Sequence, residues 1–129
     1  MADTLGRKID YTFSNPVLRE TALTHSSTVH SPGANAVSNN AWLEFRGDRV
    51  LGLIVADLLF AAYPQEPEGS LAKRHTGLVQ QEALVSVAQV IGLAEHLKLS
   101  AGETKSGGHK KDKILADALE ALIGAIYLD

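Results

Sequence analysis

The 129-residue chain has no cysteine, which excludes a disulfide framework, an iron–sulfur cluster and a thiolate-held zinc. Its N-terminus lacks the basic–apolar–small pattern of a signal peptide, and with the missing cysteines this suits a reducing cytoplasm, the expected location. No glycine-rich phosphate loop of the P-loop type is present, and the five histidines show no metal-ligand spacing. A basic excess is missing too. Fifteen acids against 12 bases leave a net charge of −3, which taken alone speaks against nucleic acid, whose binders usually carry a basic footprint. That argument turns on where the acids sit. What remains is ordinary globular composition, 45% hydrophobic and 21% charged, in a length that suits one domain with one modest core.

Period and breakers predict an all-α bundle. Asn15-Pro16 is a good helix start, a polar cap followed by proline at the first helical position. Val17, Leu18, Ala22 and Leu23 then supply a short apolar face. Residues 25–40 turn to Ser, Thr, Asn, Gly and Pro and read as a long loop, a length that is often functional in compact domains. A long helix is expected over 41–62, stopped by Pro64, and a second over 70–91, stopped near Gly92. A short helical piece over 93–97 precedes a glycine- and lysine-rich loop over 102–111, and a last helix starts near Asp112.

The informative residues are acids in unexpected places. On a helical wheel Glu44 and Asp48 lie about 40° apart and share a stripe with Leu51, Val55, Leu58 and Ala62, the face expected to turn inward. Residues 114–128 are apolar, Gly or Ala nearly all round, the mark of a buried helix. Asp117 and Glu120 are its only acids, neighbours at i, i+3. The run is too short for a membrane span, so no membrane partner is expected. A buried carboxylate costs several kcal/mol unless protonated, paired or bound to a cation, and few Lys or Arg residues fall on these faces. Four hard oxygen ligands from two helices suit Mg²⁺ or Mn²⁺, and such clusters serve phosphodiester hydrolysis. Blander readings stay open at this level. Glu44 and Asp48 could complement a helix dipole, and Asp117 and Glu120 could be core acids satisfied by an arginine. A di-iron bundle is excluded, because it needs Glu-x-x-His, whereas Gly47 and Ile123 stand three residues after Glu44 and Glu120.

The segment Asn40-Ala-Trp-Leu-Glu44-Phe45-Arg-Gly47-Asp48-Arg-Val50-Leu51 resembles the signature of the bacterial ribonuclease III endonuclease domain, Asn-Glu-Arg-Leu-Glu-Phe-Leu-Gly-Asp-x-Val-Leu. Ala22-Leu-Thr-His25-Ser26-Ser27 upstream, and Glu68-Gly69-Ser-Leu71 with Leu78-Val79 downstream, are similar to further motifs of that family. Lys105-Ser-Gly107-Gly108, then Ile114-Leu-Ala-Asp117-Ala-Leu-Glu120-Ala-Leu-Ile-Gly124-Ala-Ile-Tyr-Leu-Asp129, complete the resemblance, which covers about residues 9 to 129 in order. It implies an all-α fold and Mg²⁺-dependent cleavage of double-stranded RNA, with Mn²⁺ able to substitute and no organic cofactor. By position, Glu44, Asp117 and Glu120 are implied as metal ligands. Asp48 is implied as a catalytic acid that holds metal or water, and Glu120 is counted with it in catalysis. Metal-activated water would leave 5′-phosphate and 3′-hydroxyl ends. Glu68 matches an accessory acid.

A homodimer is also implied, with one cleavage centre per subunit along a shared valley. Phe45 matches a dimer-interface residue, against the alternative of core packing. Ribosomal RNA precursors and structured messages are the implied substrates. Ala41, Trp42 and Arg46 depart from the family's Glu, Arg and apolar residue. These departures keep a rival open, a catalytically silent RNA-binding scaffold, although such a domain is expected to lose the site acids. Lys105, Lys110 and Lys111, with His109 and Lys113, form a basic run at the mouth of the last helix. It reads either as a solvated loop or as an RNA-backbone contact. His25 reads as a structural hydrogen-bonding residue. Residues 1–129 are therefore expected to form an endonuclease domain. The last apolar helix stops without a cap and no double-stranded-RNA-binding domain follows, so the expectation is a truncated chain.

Overall fold

A computed structural model describes residues 3–30 and 39–129. They form α1 (Thr4–Ile9), α2 (Pro16–Ala22), α3 (Ala41–Ala62), α4 (Glu68–Val79), α5 (Gln81–Val90), α6 (Ala101–Lys105) and α7 (Asp112–Leu128). Short 3-10 turns occupy Ser26–His30, Leu93–His96 and Gly108–Lys110. The all-helical expectation holds. The described residues contain no strand, only an isolated parallel bridge between Thr24 and Lys98.

Local chemistry explains the helix starts. The Asn15 side chain accepts from the Val17 N–H at 3.0 Å, with Pro16 in the first helical position. For α3 the capping acceptor is Asn39, whose side-chain oxygen takes the Ala41 N–H at 3.0 Å. The α3 bounds coincide with the helix expected over 41–62.

Elsewhere the sequence expectations need correction. The helix expected over 70–91 is two helices, broken at Gln80 with ψ 160°. α4 has no buried residue and lies on α3, whereas α5 sends Leu84, Val85 and Ala88 into the core. One straight rod cannot follow both surfaces, and a single-residue break leaves little mark on the apolar pattern. The loop expected over 102–111 overlaps α6 and the 3-10 turn Gly108–Lys110, and α6 is started by the Ser100 hydroxyl accepting from the Glu103 N–H at 3.1 Å. α1 was not anticipated; Asp3 caps it through the Gly6 N–H, and Leu5 is fully buried. The long loop expected over 25–40 begins with the 3-10 turn, and its residues 31–38 lie outside the described residues.

α7 is the central helix, as its all-round apolar sequence predicts, and packs against α2, α3 and α5. Its crossing with α3 is a backbone-to-backbone contact. A Cβ added at Gly47 would fall 1.7 Å from the Glu120 carbonyl oxygen, and one at Gly124 would fall 2.4 Å from that of Leu43. The buried row of α3 is therefore Leu43, Gly47, Val55 and Leu59. Leu58 is 64% exposed and Ala62 is exposed, so the expected stripe is displaced. Close approach at Gly47 selects the contact face and leaves Glu44 and Asp48 along its edge. At the far end of α7 the Asp129 carboxylate accepts from the Tyr11 hydroxyl at 2.6 Å and from the Ser14 and Asn15 N–H groups at 2.8 Å. That ties the segment before α2 to the central helix.

Substituting Gly47→Ala should destabilise the chain by about 3 kcal/mol or more, since overpacking usually costs ~1–3 kcal/mol where side chains can yield and here the obstacle is backbone. Gly77→Ala, in exposed α4 with nothing within 4 Å of the new methyl, should instead stabilise by roughly 0.5–1 kcal/mol. Urea unfolding of both variants checks the contrast; equal effects would refute the close crossing.

Candidate metal centre

Glu44 lies in the first turn of α3, and Asp117 and Glu120 project from the middle of α7. The glycine crossing brings them together, so that one carboxylate oxygen from each lies within 4.8 Å of the others. Glu120 is 8% exposed, and Glu44 and Asp117 are half-buried. Asp48 stands at the rim. Its side chain is 58% exposed and ion-paired with Arg49 at 3.2 Å, yet it lies within hydrogen-bonding reach of Glu120. Of the four acids picked out from the sequence, three converge and the fourth borders them.

The remaining candidates distribute differently. Glu68 opens α4 and lines a cleft with Ala56, Leu59 and Phe60. Ala56 is eight residues past Asp48, about 12 Å further along α3, so Glu68 is not brought into the cluster. Phe45 is 60% exposed, with the Arg49 guanidinium 3.8 Å from its ring centre; core packing is ruled out for it. Arg46 similarly covers Trp42 at 4.8 Å. Lys105 and Lys110 are exposed, whereas Lys111 binds Glu103 and Ser106. His25 accepts the Ser27 N–H at 3.0 Å, the structural role expected of it.

Electrostatics follow from crowding like charges in a poorly hydrated place. Burial, then the Asp48 carboxyl, then Glu44 and Asp117 push the Glu120 pKa from its ordinary 4.5 up to about 8. Glu44 is raised as well, by burial first and by the Asp117 charge second, with Lys113 opposing. Sequence reading found few cations near these faces and missed one. The Lys113 ammonium reaches Asp117 at 3.0 Å, an i, i+4 spacing that was legible in the sequence. Its charge offsets only part of the acidity. A set of carboxylates that one ammonium does not neutralise fits a hard divalent cation, whose charge lowers the cost of keeping them ionised.

Fold and donor set together define an all-helical domain whose carboxylates can hold a hard metal ion. A family model described as ribonuclease-III-like matches residues 15–129, and the chain belongs to the ribonuclease III family. It is 49% identical over 122 residues to "Ribonuclease 3" of Acinetobacter baumannii, covering 95% of this chain and 50% of that protein. It is 45% identical over 127 residues to "Ribonuclease 3" of Cupriavidus pinatubonensis, covering 98% and 47%. The chain thus spans about half the length of the curated relatives it matches. Among solved structures, the nuclease domain of Campylobacter jejuni ribonuclease III superposes with a TM-score of 0.88 at 37% identity, over 98% of this chain and 84% of that one. That domain is described as having structural flexibility in a region involved in dimer formation.

The raised Glu120 pKa fixes the sign of a pH effect. Below pH 4.5 folded and unfolded chains both hold the proton, and between 4.5 and about 8 only the folded chain does. The unfolded chain then binds fewer protons, so stability falls as pH rises through that window. The melting temperature of the metal-free chain should drop from pH 5 to pH 8, and Glu120→Gln should flatten the drop. A wild-type profile that is level or rising there, once Glu120→Gln is subtracted, would contradict the assignment.

Proposed function

We propose that residues 1–129 form the nuclease domain of a double-stranded-RNA endoribonuclease. It hydrolyses phosphodiester bonds with Mg²⁺, or Mn²⁺ in its place, and leaves 5′-phosphate and 3′-hydroxyl ends. The observation that carries this reading is the convergence of Glu44, Asp117 and Glu120 from two helices onto one point. Family membership and the match to nuclease domains support it.

Glu44, Asp117 and Glu120 are the residues that would hold the cation. When bound, it supplies Lewis acidity at the scissile phosphate and favours deprotonation of the attacking water. Glu120, whose pKa burial and the neighbouring carboxyls raise to about 8, would hold the cation as the carboxylate. Asp48, solvent-facing and within reach of Glu120, positions the water. Exposed Lys105 and Lys110, with Lys111 nearby, contact the duplex backbone, since A-form RNA is recognised by shape, phosphate and 2′-OH. Glu68 acts as an accessory acid only if RNA or a second subunit brings it close.

A homodimer completes the reading. Phe45, Leu53 and Phe60 leave large apolar side chains exposed on one side of α3, the kind of surface that a protein–protein contact covers. The Campylobacter jejuni nuclease domain is described as having a region involved in dimer formation. Processing of ribosomal RNA precursors and messages, in the cytoplasm, is the corresponding role. Among the described residues no helix is long and apolar enough to cross a membrane.

Long duplex RNA incubated with the chain and Mg²⁺ should be cut. EDTA should abolish cleavage, and Glu120→Ala should lower it by more than about a hundredfold, beyond the 10–100-fold cost of losing an outer partner of a metal ligand. Equal cleavage by Glu120→Ala would remove the site assignment. A folded, metal-binding dimer that leaves RNA intact would favour the scaffold alternative that Ala41 and Arg46 keep open. Sedimentation at micromolar concentration should give a dimer, weakened roughly tenfold or more by Phe45→Ala; a wild-type monomer would overturn the dimer.

Because a cation favours the ionised forms of Glu120 and Glu44, both held above their ordinary pKa, metal affinity should rise with pH between 6 and 8. Calorimetric titration of Mg²⁺ at pH 6, 7 and 8 measures this, and a flat profile would refute that linkage.

A further inference from the structure

Lys113 is a cation on the edge of the acidic cluster that the mechanism leaves without a task. It sits in the first turn of α7, and its ammonium lies 3.0 Å from Asp117 Oδ2. The Asp117 hydrogen bond, then the charge of Asp117, hold the Lys113 pKa above its ordinary value, with Glu44 and Glu120 adding to the effect. Helix stability does not account for the placement. A cation at a helix N-terminus opposes the macrodipole, and a lysine preceding its acid at i, i+4 is the weaker order of the pair. The side chain is 77% exposed, so packing does not fix it. The other cation at the rim, Arg49, is engaged by Asp48 and stacked on Phe45. What Lys113 has is the acidic cluster itself.

We propose that Lys113 is an exchangeable counter-ion of the metal centre: its ammonium competes with the divalent cation for Asp117 and swings into solvent as the cation binds. The inference rests on the metal reading given above. Its physics is a charge count. An ammonium beside the site repels a dication twice as strongly as it repels a proton on the same carboxylate, so removing it favours the dication even though the acids hold protons more tightly. A long, exposed, flexible lysine can leave without disturbing the helices, which a buried arginine could not do. Lys113 then sets the cation concentration at which the site fills. It also keeps Glu44, Asp117 and Glu120 partly neutralised before that point.

The test is direct titration of the full chain with Mn²⁺, read by the loss of the free-ion EPR signal, at pH 8 and low salt. Lys113→Met keeps the length and drops the charge; Lys113→Gln is a second neutral variant in case the first folds poorly, and Lys113→Arg keeps the charge. The neutral variants should bind Mn²⁺ roughly three- to tenfold more tightly than wild type, the range expected when an exposed ion pair is removed beside a doubly charged ligand. Lys113→Arg should stay near wild type, and 0.5 M KCl should narrow the gap by screening. Melting in EDTA verifies the fold and should show the neutral variants less stable without metal. Neutral variants that bind Mn²⁺ no more tightly than wild type, while wild type binds it, overturn the exchange alone. Failure of every chain to bind Mn²⁺ overturns the metal reading and the exchange with it.

Discussion

Everything in this domain depends on two helices touching through their backbones. Gly47 faces the Glu120 carbonyl, and Gly124 faces that of Leu43, at separations no side chain could occupy. Helices normally pack 8–10 Å apart because side chains stand between them; two glycines remove that spacer. Since the Glu120 backbone is part of the crossing, its side chain is placed by the contact itself. Glu44 lies one turn before Gly47, and Asp117 one turn before Glu120. Three acids from two distant stretches of sequence therefore meet without any loop having to bring them together.

That frame holds a charge arrangement that would not persist unaided. Like charges crowd at one point, one of them buried, and the electrostatic cost appears as the displaced pKa of Glu120. Packing along α7, buried on nearly every side, supplies the free energy that offsets it. The acidic balance of the whole chain takes on another meaning here. Apart from Glu44, Asp48, Asp117 and Glu120 the remainder is slightly basic, and a dication held by such acids would reverse the field that an approaching phosphate meets. A net charge that first argued against nucleic acid is compatible with it once the acids are placed.

Much of this was legible in the sequence, and the failures have physical causes. The bounds of α3 and the burial of α7 could be read because caps, prolines and an all-round apolar composition are strong local signals. The acids of α7 stood out because carboxylates are expensive inside such a helix. The stripe of α3 was misplaced because hydrophobicity alone does not report where a glycine will draw two backbones together. The break at Gln80 went unseen because one extended residue scarcely alters the apolar pattern. Lys113 was grouped with a basic run when its i, i+4 relation to Asp117 was available. Periodicity does not place Glu68 or Phe45, since the first lines a cleft with α3 residues and the second stays exposed against Arg49, neither in the core nor in the cluster.

The Gln80 joint has a consequence for how the molecule opens. α4 contributes nothing buried; it leans on α3 through contacts such as the His75 ring bonded to the Gly52 carbonyl at 2.8 Å, and one extended residue separates it from α5. A segment so attached can detach while the α5–α7 core stays shut, so the domain has two tiers of cooperativity instead of one. The amides of α4 then exchange with solvent through shallow excursions, and those of α7 only through global unfolding. The cleft beside Glu68 lies between the outer tier and α3, so a second subunit settling across it would merge the two tiers into one.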